Sequence, residues 1–372
     1  VQVGVVGAGI MGRLMAWELA KSGHNVSLFD QDIIQKRSDN GQSAAYTAAG
    51  MISPLSEADS AEPEIIALGL KGLNLWPELV QQLATDIDFR QNGSLVIAHP
   101  HDRADLINFR HHVSRHLTQH PGLRKYFLNI DQTGLRSLEV DLSERFNEAT
   151  YIPTEAWLSP QKLLCALADQ LLQMGAMLYE RTPIISLAPY AVKTIDKHYD
   201  FDCVIDCRGL GAKPDIKQLR GVRGELVLLH APDVNIQHLV RLMHPRYRIY
   251  IVPRAKHHYV IGATQIESDS MQPISVRSSL ELLSAAYSVH PGFGEASIVH
   301  ARVNCRPALP NNLPKIENQP GLMRINGLFR HGILLAPALA HEAIHQLHHQ
   351  SASPFATQPG IAQLDEALFS LG

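Results

Sequence analysis

Arg306 stands in RVNCRPALP and Arg330 in GLFRHGILLAP, and each sits where a strand pattern gives way to a loop. A guanidinium fork can hold a small carboxylate through two parallel hydrogen bonds. Tyr250, in YIVPR, could join the two arginines in framing one carboxylic acid. Spacing alone does not separate this from two surface ion pairs, which is the commoner fate of an isolated arginine.

Two histidine patterns invite a metal. His341-Glu342-Ala343-Ile344-His345 has the H-E-x-x-H form, which puts two imidazoles on one helical face. His112, His116 and His120 also fall four apart. The chain has 20 histidines, so such spacings arise by coincidence, and no acid or cysteine completes the second set. The expectation is therefore no metal. The four cysteines, Cys165, Cys203, Cys207 and Cys305, form no C-x-x-C pair. That argues against a zinc ribbon or a disulfide framework and favours a reducing compartment, by default the cytoplasm.

Such groups need a scaffold, and residues 1–12, VQVGVVGAGIMG, provide its start. Val3, Val5 and Val6 read as a buried parallel strand. Gly7, Gly9 and Gly12 follow in G-x-G-x-x-G spacing, suited to a tight turn, close approach to a pyrophosphate, and helix–strand packing. A helix is expected at 10–21, with Leu14, Leu19 and Ala20 on its apolar side, and its N-terminus would favour phosphate. A second strand at 25–29 ends at Asp30, where a carboxylate would bind ribose hydroxyls. NAD and FAD both fit so far. Next comes SAAYTAAGMISP (43–54), whose small residues would let a flat ligand lie against backbone.

Further along, helices are expected at 64–83, 102–120, 160–174, 276–286 and 336–348. Residues 89–98 alternate and carry Asn92-Gly93, a hairpin signal. Residues 133–142 read simply as polar. Ser159 and Pro160 open their helix as cap and first residue. Strands are expected at 176–180 and 201–207; the latter, ending in Arg208-Gly209-Leu210-Gly211, suggests a return to the parallel sheet, with a plain turn as the alternative. Strands at 225–230, 247–253, 258–264 and 297–304 have antiparallel character and suggest an inserted second unit. A strand at 321–326, a glycine-bearing turn at 327–335 and the last helix resume the opening style.

The 372 residues suffice for two domains. A net charge of −3 speaks against nucleic acid or an anionic membrane as partner. No apolar run reaches the ~18 residues of a membrane span, and no export leader is evident.

In order along the chain, SAAYTAAGMISPLSE, YIVPR with VIGAT, RVNCRPALPNNLP and GLFRHGILLAPA resemble the glycine oxidase branch of the D-amino acid oxidase family of FAD-dependent enzymes. The likeness runs from Val3 to about Ile344, and FRHGILLAPA is its most specific part. It implies an α/β fold: a Rossmann-like FAD-binding domain (1–84, 146–220 and 301–372) interleaved with an α+β substrate domain on an antiparallel sheet (85–145 and 221–300). Carried over by position, Gly7, Gly9 and Gly12, with Ala8, Ile10 and Met11 between them, would hold the pyrophosphate. Asp30 and Gln31 would take the adenosine ribose. Ala44, Ala45, Ala48, Ala49, Gly50 and Met51 would line the flavin, Met51 beside the reacting centre. Ile184 would reach the adenine side, and Cys207 and Gly209 would close on the cofactor. Arg330, His331, Gly332, Ile333 and Leu334 would approach the flavin ring, and Arg306 with Tyr250 would pair the substrate carboxylate.

The implied reaction is oxidation of glycine, sarcosine or a small D-amino acid by hydride transfer to flavin, with O2 returning H2O2 and the imine available for thiamine biosynthesis. The nearest alternative is a dehydrogenase passing electrons to a quinone or another acceptor. A tRNA- or partner-modifying flavoenzyme, an NAD-dependent dehydrogenase and a non-catalytic flavin-binding module stand further off; the missing basic tract speaks against nucleic acid. A homo-oligomer is left open. Departures from the family fall at Arg248, Gln265 and Pro314-Lys315-Ile316-Glu317, and they are expected near the pocket or its support. Sarcosine oxidases of the wider family link flavin through a cysteine in this region, so Cys305 is either such a link or, as the residues alone favour, a buried thiol.

Overall fold

The computed structural model describes residues 1–35, 43–118, 121–246 and 249–349. Expectations at His120 and Arg248 lie outside these residues. The first strand, β1 (Gln2–Val6), sits inside a six-stranded sheet. It pairs in parallel with β2 (Asn25–Phe29) on one side and Cys203–Asp206 on the other. Met177–Tyr179 and Leu322–Asn326 extend the parallel set, and Lys315–Gln319 adds an antiparallel edge. Both faces of β1 are covered, which is why Val3, Val5 and Val6 form an almost unbroken apolar run.

Helix α1 (Ile10–Lys21) follows β1 with the expected bounds, but not with one apolar side. Ile10 to Trp17 and Leu19 are all buried, because helices Pro160–Gln173 and Gly332–His349 both pack on it. Its weak amphipathicity is that of a helix enclosed on most sides.

The last helix begins at Gly332, four residues earlier than expected, after a 3-10 turn at Phe329–His331. Pro337 lies within it and cannot donate to the carbonyl of Ile333. That carbonyl instead accepts the indole N–H of Trp76 at 3.1 Å, so the proline is absorbed rather than ending the helix. Helix Pro63–Gln81, which carries Trp76, approaches very closely here. A Cβ on Gly72 would stand 2.1 Å from the Leu334 carbonyl oxygen.

The second sheet is built around the strand Arg220–His230, which pairs antiparallel with both His258–Gly262 and Ser297–Ala308. Ile249–Arg254, Leu239–Met243, Ser94–Ala98, Glu148–Ile152 and Leu128–Asp131 continue it. Its pairings are antiparallel except that between Leu239–Met243 and Ser94–Ala98. The strand Ser297–Ala308 crosses position 301 without leaving this sheet, and Glu148–Ile152 also belongs to it. The fold is thus α/β, with a Rossmann-like parallel sheet and an antiparallel-dominated sheet fed alternately by one chain.

One local expectation needs correction, and two further elements went unread. Asn92-Gly93 is not a hairpin turn: Arg90 bridges Trp157, and Gly93, at φ +90°, leads into Ser94–Ala98, which pairs with Glu148–Ile152. The polar stretch at 133–142 forms two short helices, Gln132–Leu138 and Val140–Ser143, anchored by buried Leu135 and Leu142. Residues 184–200 form a three-stranded antiparallel sheet that was not anticipated, because its strands are too short and exposed to show a period.

Candidate active site

A cavity of about 650 Å³ runs from the glycine loop to the antiparallel sheet. Its first end is lined by Gly7, Ala8, Gly9, Ile10, Met11, Asp30 and Gln31. Gly7 has φ +97°, and a Cβ there would meet the Cys207 carbonyl oxygen at 2.5 Å. At Gly9 the nearest atom to such a Cβ is 3.9 Å away, so this position opens to the cavity. Gly12 does not line it; it packs α1 against the loop, with its Cβ position 1.8 Å from the Gly7 oxygen. Asp30 Oδ2 accepts from Ala8 N at 2.5 Å and Oδ1 from Asp32 N at 2.8 Å, which fixes the acid beside the loop.

These residues fit a dinucleotide. α1 starts with no side-chain cap and no acid in its first turn, so its N–H groups and dipole are left for an external anion. Sequence reading missed Arg13. This buried side chain donates from Nε to Ala8 O at 2.7 Å and from Nη1 to Leu164 O at 2.8 Å and Ile34 O at 3.0 Å. It ties three segments around the same end; burial lowers its pKa to about 10, with Asp30 opposing the fall.

The middle of the cavity is walled by Ala44, Ala45, Ala48, Ala49, Gly50 and Met51 on one side and by Cys207 and Gly209 on the other. Gly50 has φ +75°, and a Cβ there would lie 2.0 Å from the Leu158 carbonyl oxygen. Arg254 Nη2 donates to Ala49 O at 2.5 Å, fixing the run from behind. Ile184 is not part of the cavity; it packs in a cluster with Val6, Phe29, Leu187 and Tyr179.

Gly332, Ile333 and Leu334 present the start of a helix to the same cavity, with Gly332 beside Ile10, and Arg330, His331, Tyr250 and Arg306 also line it. Arg306 Nη1 donates to Thr264 O at 3.1 Å, and the guanidinium lies directly over Gly224, where a Cβ would be 2.3 Å from Nη2. Among the described residues no carboxylate lies within 4.0 Å of it. Burial lowers its pKa; Tyr250 opposes that and Arg330 adds repulsion. Burial raises the Tyr250 hydroxyl to about 12, so it is neutral. A guanidinium with no acid partner among the described residues, on a cavity wall beside a neutral phenol, can take a carboxylate.

Arg330 shares the wall but is directed elsewhere. Its Nη2 donates to Ser60 Oγ at 2.7 Å, its Nε to His331 Nε2 at 3.1 Å, and Glu57 Oε1 lies 3.8 Å away. Phe329, at φ +51°, carries left-handed backbone strain immediately before it. Glu57 and Arg241, also on the cavity wall, were missed. The only sequence signal for Glu57 was an acid closing the SAAYTAAGMISPLSE run. Burial pushes its carboxyl up, but Arg330, His331, Arg241 and Arg306 together hold it below the usual range.

His331 is 4% exposed, and burial depresses its pKa from 6.5 to about 4. The folded protein therefore binds this proton less readily than the unfolded chain. The associated stability is complete above pH 6.5 and is lost as pH falls through about 4. It amounts to on the order of 3 kcal/mol. The thermal midpoint of the wild type is expected to fall over that window, and His331→Gln to flatten this part of the curve; parallel curves would contradict it.

Cys305, 2% exposed, directs Sγ to Ser268 O at 3.5 Å and Ser270 O at 3.6 Å, and burial raises its pKa. Gln265 lines the cavity. Lys315 and Glu317 do not; they pair at 2.6 Å on the edge strand, which supports the cavity by pairing with Ile325 and Asn326 on its wall. Among the described residues no group of three or more His, Cys, Asp or Glu could hold a metal. No described helix is long and apolar enough to cross a membrane.

A glycine loop on a parallel sheet, an acid fixed beside that loop and a cavity reaching the antiparallel sheet define a two-part, dinucleotide-binding architecture. The FAD dependent oxidoreductase (DAO) family matches residues 2–346, and the chain belongs to that family. FAD is accordingly its cofactor. Over 350 residues, 94% of this chain and 97% of the other, it is 35% identical to a Rhizobium etli protein provisionally named the thiamine biosynthesis oxidoreductase ThiO. It is 28% identical to glycine oxidase of Geobacillus kaustophilus, over 90% of this chain and 89% of that one. The crystal structure of the G. kaustophilus enzyme superposes with a TM-score of 0.79 at 27% identity, covering 96% of this chain and 98% of the other. The protein is thus an FAD-dependent oxidoreductase of the glycine oxidase/ThiO type.

Proposed function

We propose that this enzyme oxidises the C–N bond of a small amino acid, with glycine, sarcosine and small D-amino acids as the substrate class and O2 as the electron acceptor. The observation that carries the reading is Arg306: a half-buried cation with no acid partner among the described residues, on the wall of the FAD cavity. FAD, when bound, supplies the acceptor for the hydride. Arg306 pairs the substrate carboxylate and the neutral Tyr250 hydroxyl donates to it, fixing the α-carbon in orientation. The names of the relatives, a glycine oxidase and a thiamine biosynthesis oxidoreductase, support glycine within this class and a role in thiamine biosynthesis.

Anaerobic mixing of the holoenzyme with glycine, sarcosine and D-alanine is expected to bleach the flavin, and admitting air to restore it with one H2O2 per turnover. Bleaching without H2O2 would identify a dehydrogenase using another acceptor. No bleaching by any small amine would end the reading.

A further inference from the structure

Glu57 is a carboxylate on the cavity wall whose neighbours are committed elsewhere. Arg241 is paired with Asp59 at 2.7 Å. Arg330 gives its nearest donors to Ser60 and His331. The two cations or rings facing Glu57, Arg330 Nη2 and His331 Nδ1, stand 3.8 and 3.7 Å off, beyond hydrogen-bond distance. Among the described residues the Glu57 carboxylate therefore accepts no hydrogen bond. Opposite it, His331 Nδ1 is buried and unpartnered, and because Nε2 accepts from Arg330 the neutral ring carries its proton on Nδ1. A buried donor and an ionised acceptor thus stand 3.7 Å apart without a hydrogen bond between them, and the acceptor has capacity to spare.

The backbone that presents Glu57 is held firmly. The buried carboxylate of Glu155 accepts from Leu55 N at 2.7 Å and Ser56 N at 2.8 Å, and the carbonyl of Glu57 itself accepts from Ser60 N at 3.2 Å. Such support is what an oriented recognition group requires.

We propose that Glu57 accepts a hydrogen bond from the amino group of the substrate, so that the cavity reads the amine as well as the carboxylate. The proposal rests on the amino-acid oxidation reading above and deepens it. Arg306 recognises an anion that any simple carboxylate offers. Glu57 makes the site prefer a carboxylate that also bears an N–H donor, because a carboxylate without one brings negative charge toward an acid it cannot satisfy.

The test uses holoenzyme and two probes, glycine and acetate. Glycine affinity is read from the concentration dependence of anaerobic flavin reduction, and acetate affinity from perturbation of the flavin absorbance. Glu57→Gln is expected to weaken glycine about tenfold, as a charge-assisted bond becomes a neutral one. Acetate should bind as well or more tightly. A structural role would move both probes the same way, so parallel weakening, or unchanged glycine affinity, would overturn the proposal. Should Glu57→Gln not retain FAD, Glu57→Asp keeps the charge at shorter reach. Glycine is then expected to weaken while acetate does not, and equal weakening of both again overturns it. A wild-type enzyme that binds acetate but is reduced by no small amine would instead defeat the substrate reading itself.

Discussion

Arg306→Ala is expected to raise the KM for glycine by about thirtyfold or more, while the purified protein remains yellow. Truncating one partner of a buried charge pair costs about 2–5 kcal/mol, and each 1.4 kcal/mol is about tenfold. Arg306 has its Nη1 anchored on Thr264 O at 3.1 Å, and no acid among the described residues competes for it. The truncation also removes the side chain that fills the space over Gly224. The cofactor end should be spared, because the glycine loop, Asp30 and Arg13 belong to other segments of chain. Arg306→Lys should recover only part of the loss, since an ammonium cannot offer the paired donors of a guanidinium. Unchanged kinetics in Arg306→Ala, or loss of flavin with it, would remove Arg306 from the role proposed.

Much of the frame was legible because its signals are local. β1, α1 and β2 have the bounds the sequence suggests, and buried Val3, Val5 and Val6 make the parallel strand plain. The residues expected around a cofactor converge on one cavity apart from Gly12 and Ile184, because glycine spacing and runs of small residues encode backbone shape directly. The parts that were not legible depend on distant partners. Glu57 meets Arg330 and His331 from the far end of the chain, and nothing near it in sequence announces that meeting. Arg13 looks like a solvent-facing residue of a helix until helix Pro160–Gln173 and the segment carrying Ile34 close over it. The last helix looked as if it should start beside Pro337; the indole of Trp76, some 260 residues away, lets it start at Gly332. Asn92-Gly93 misled in the opposite sense, as a strong turn signal recruited to start a strand.

Gly12→Ala is expected to yield colourless protein with a lowered thermal midpoint, although the substitution adds a single methyl group. The new Cβ would stand 1.8 Å from the carbonyl oxygen of Gly7. That atom is backbone and cannot swing aside. Gly7 is itself confined: its N–H donates to Phe29 O at 2.8 Å, its φ is +97°, and the Cys207 carbonyl presses on the place where its own side chain would be. Relief must come from lifting α1 off β1 or from displacing residues 7–9. The first opens the packing around Ile10, Met11 and Leu14; the second breaks the bond from Ala8 N to Asp30. Overpacking of this kind costs about 1–3 kcal/mol, occasionally more, and both routes disturb the N–H groups facing the pyrophosphate. Gly9→Ala is the informative contrast. Its Cβ would meet only Ser43 Cβ, at 3.9 Å, and point into the cavity. The apoprotein should therefore keep its thermal midpoint while FAD binding weakens. Apoprotein midpoints and FAD titrations of both variants distinguish a glycine required by the protein's own packing from one required by the cofactor. If Gly12→Ala purified yellow with an unshifted midpoint, the loop would not be the rigid cradle that its geometry describes.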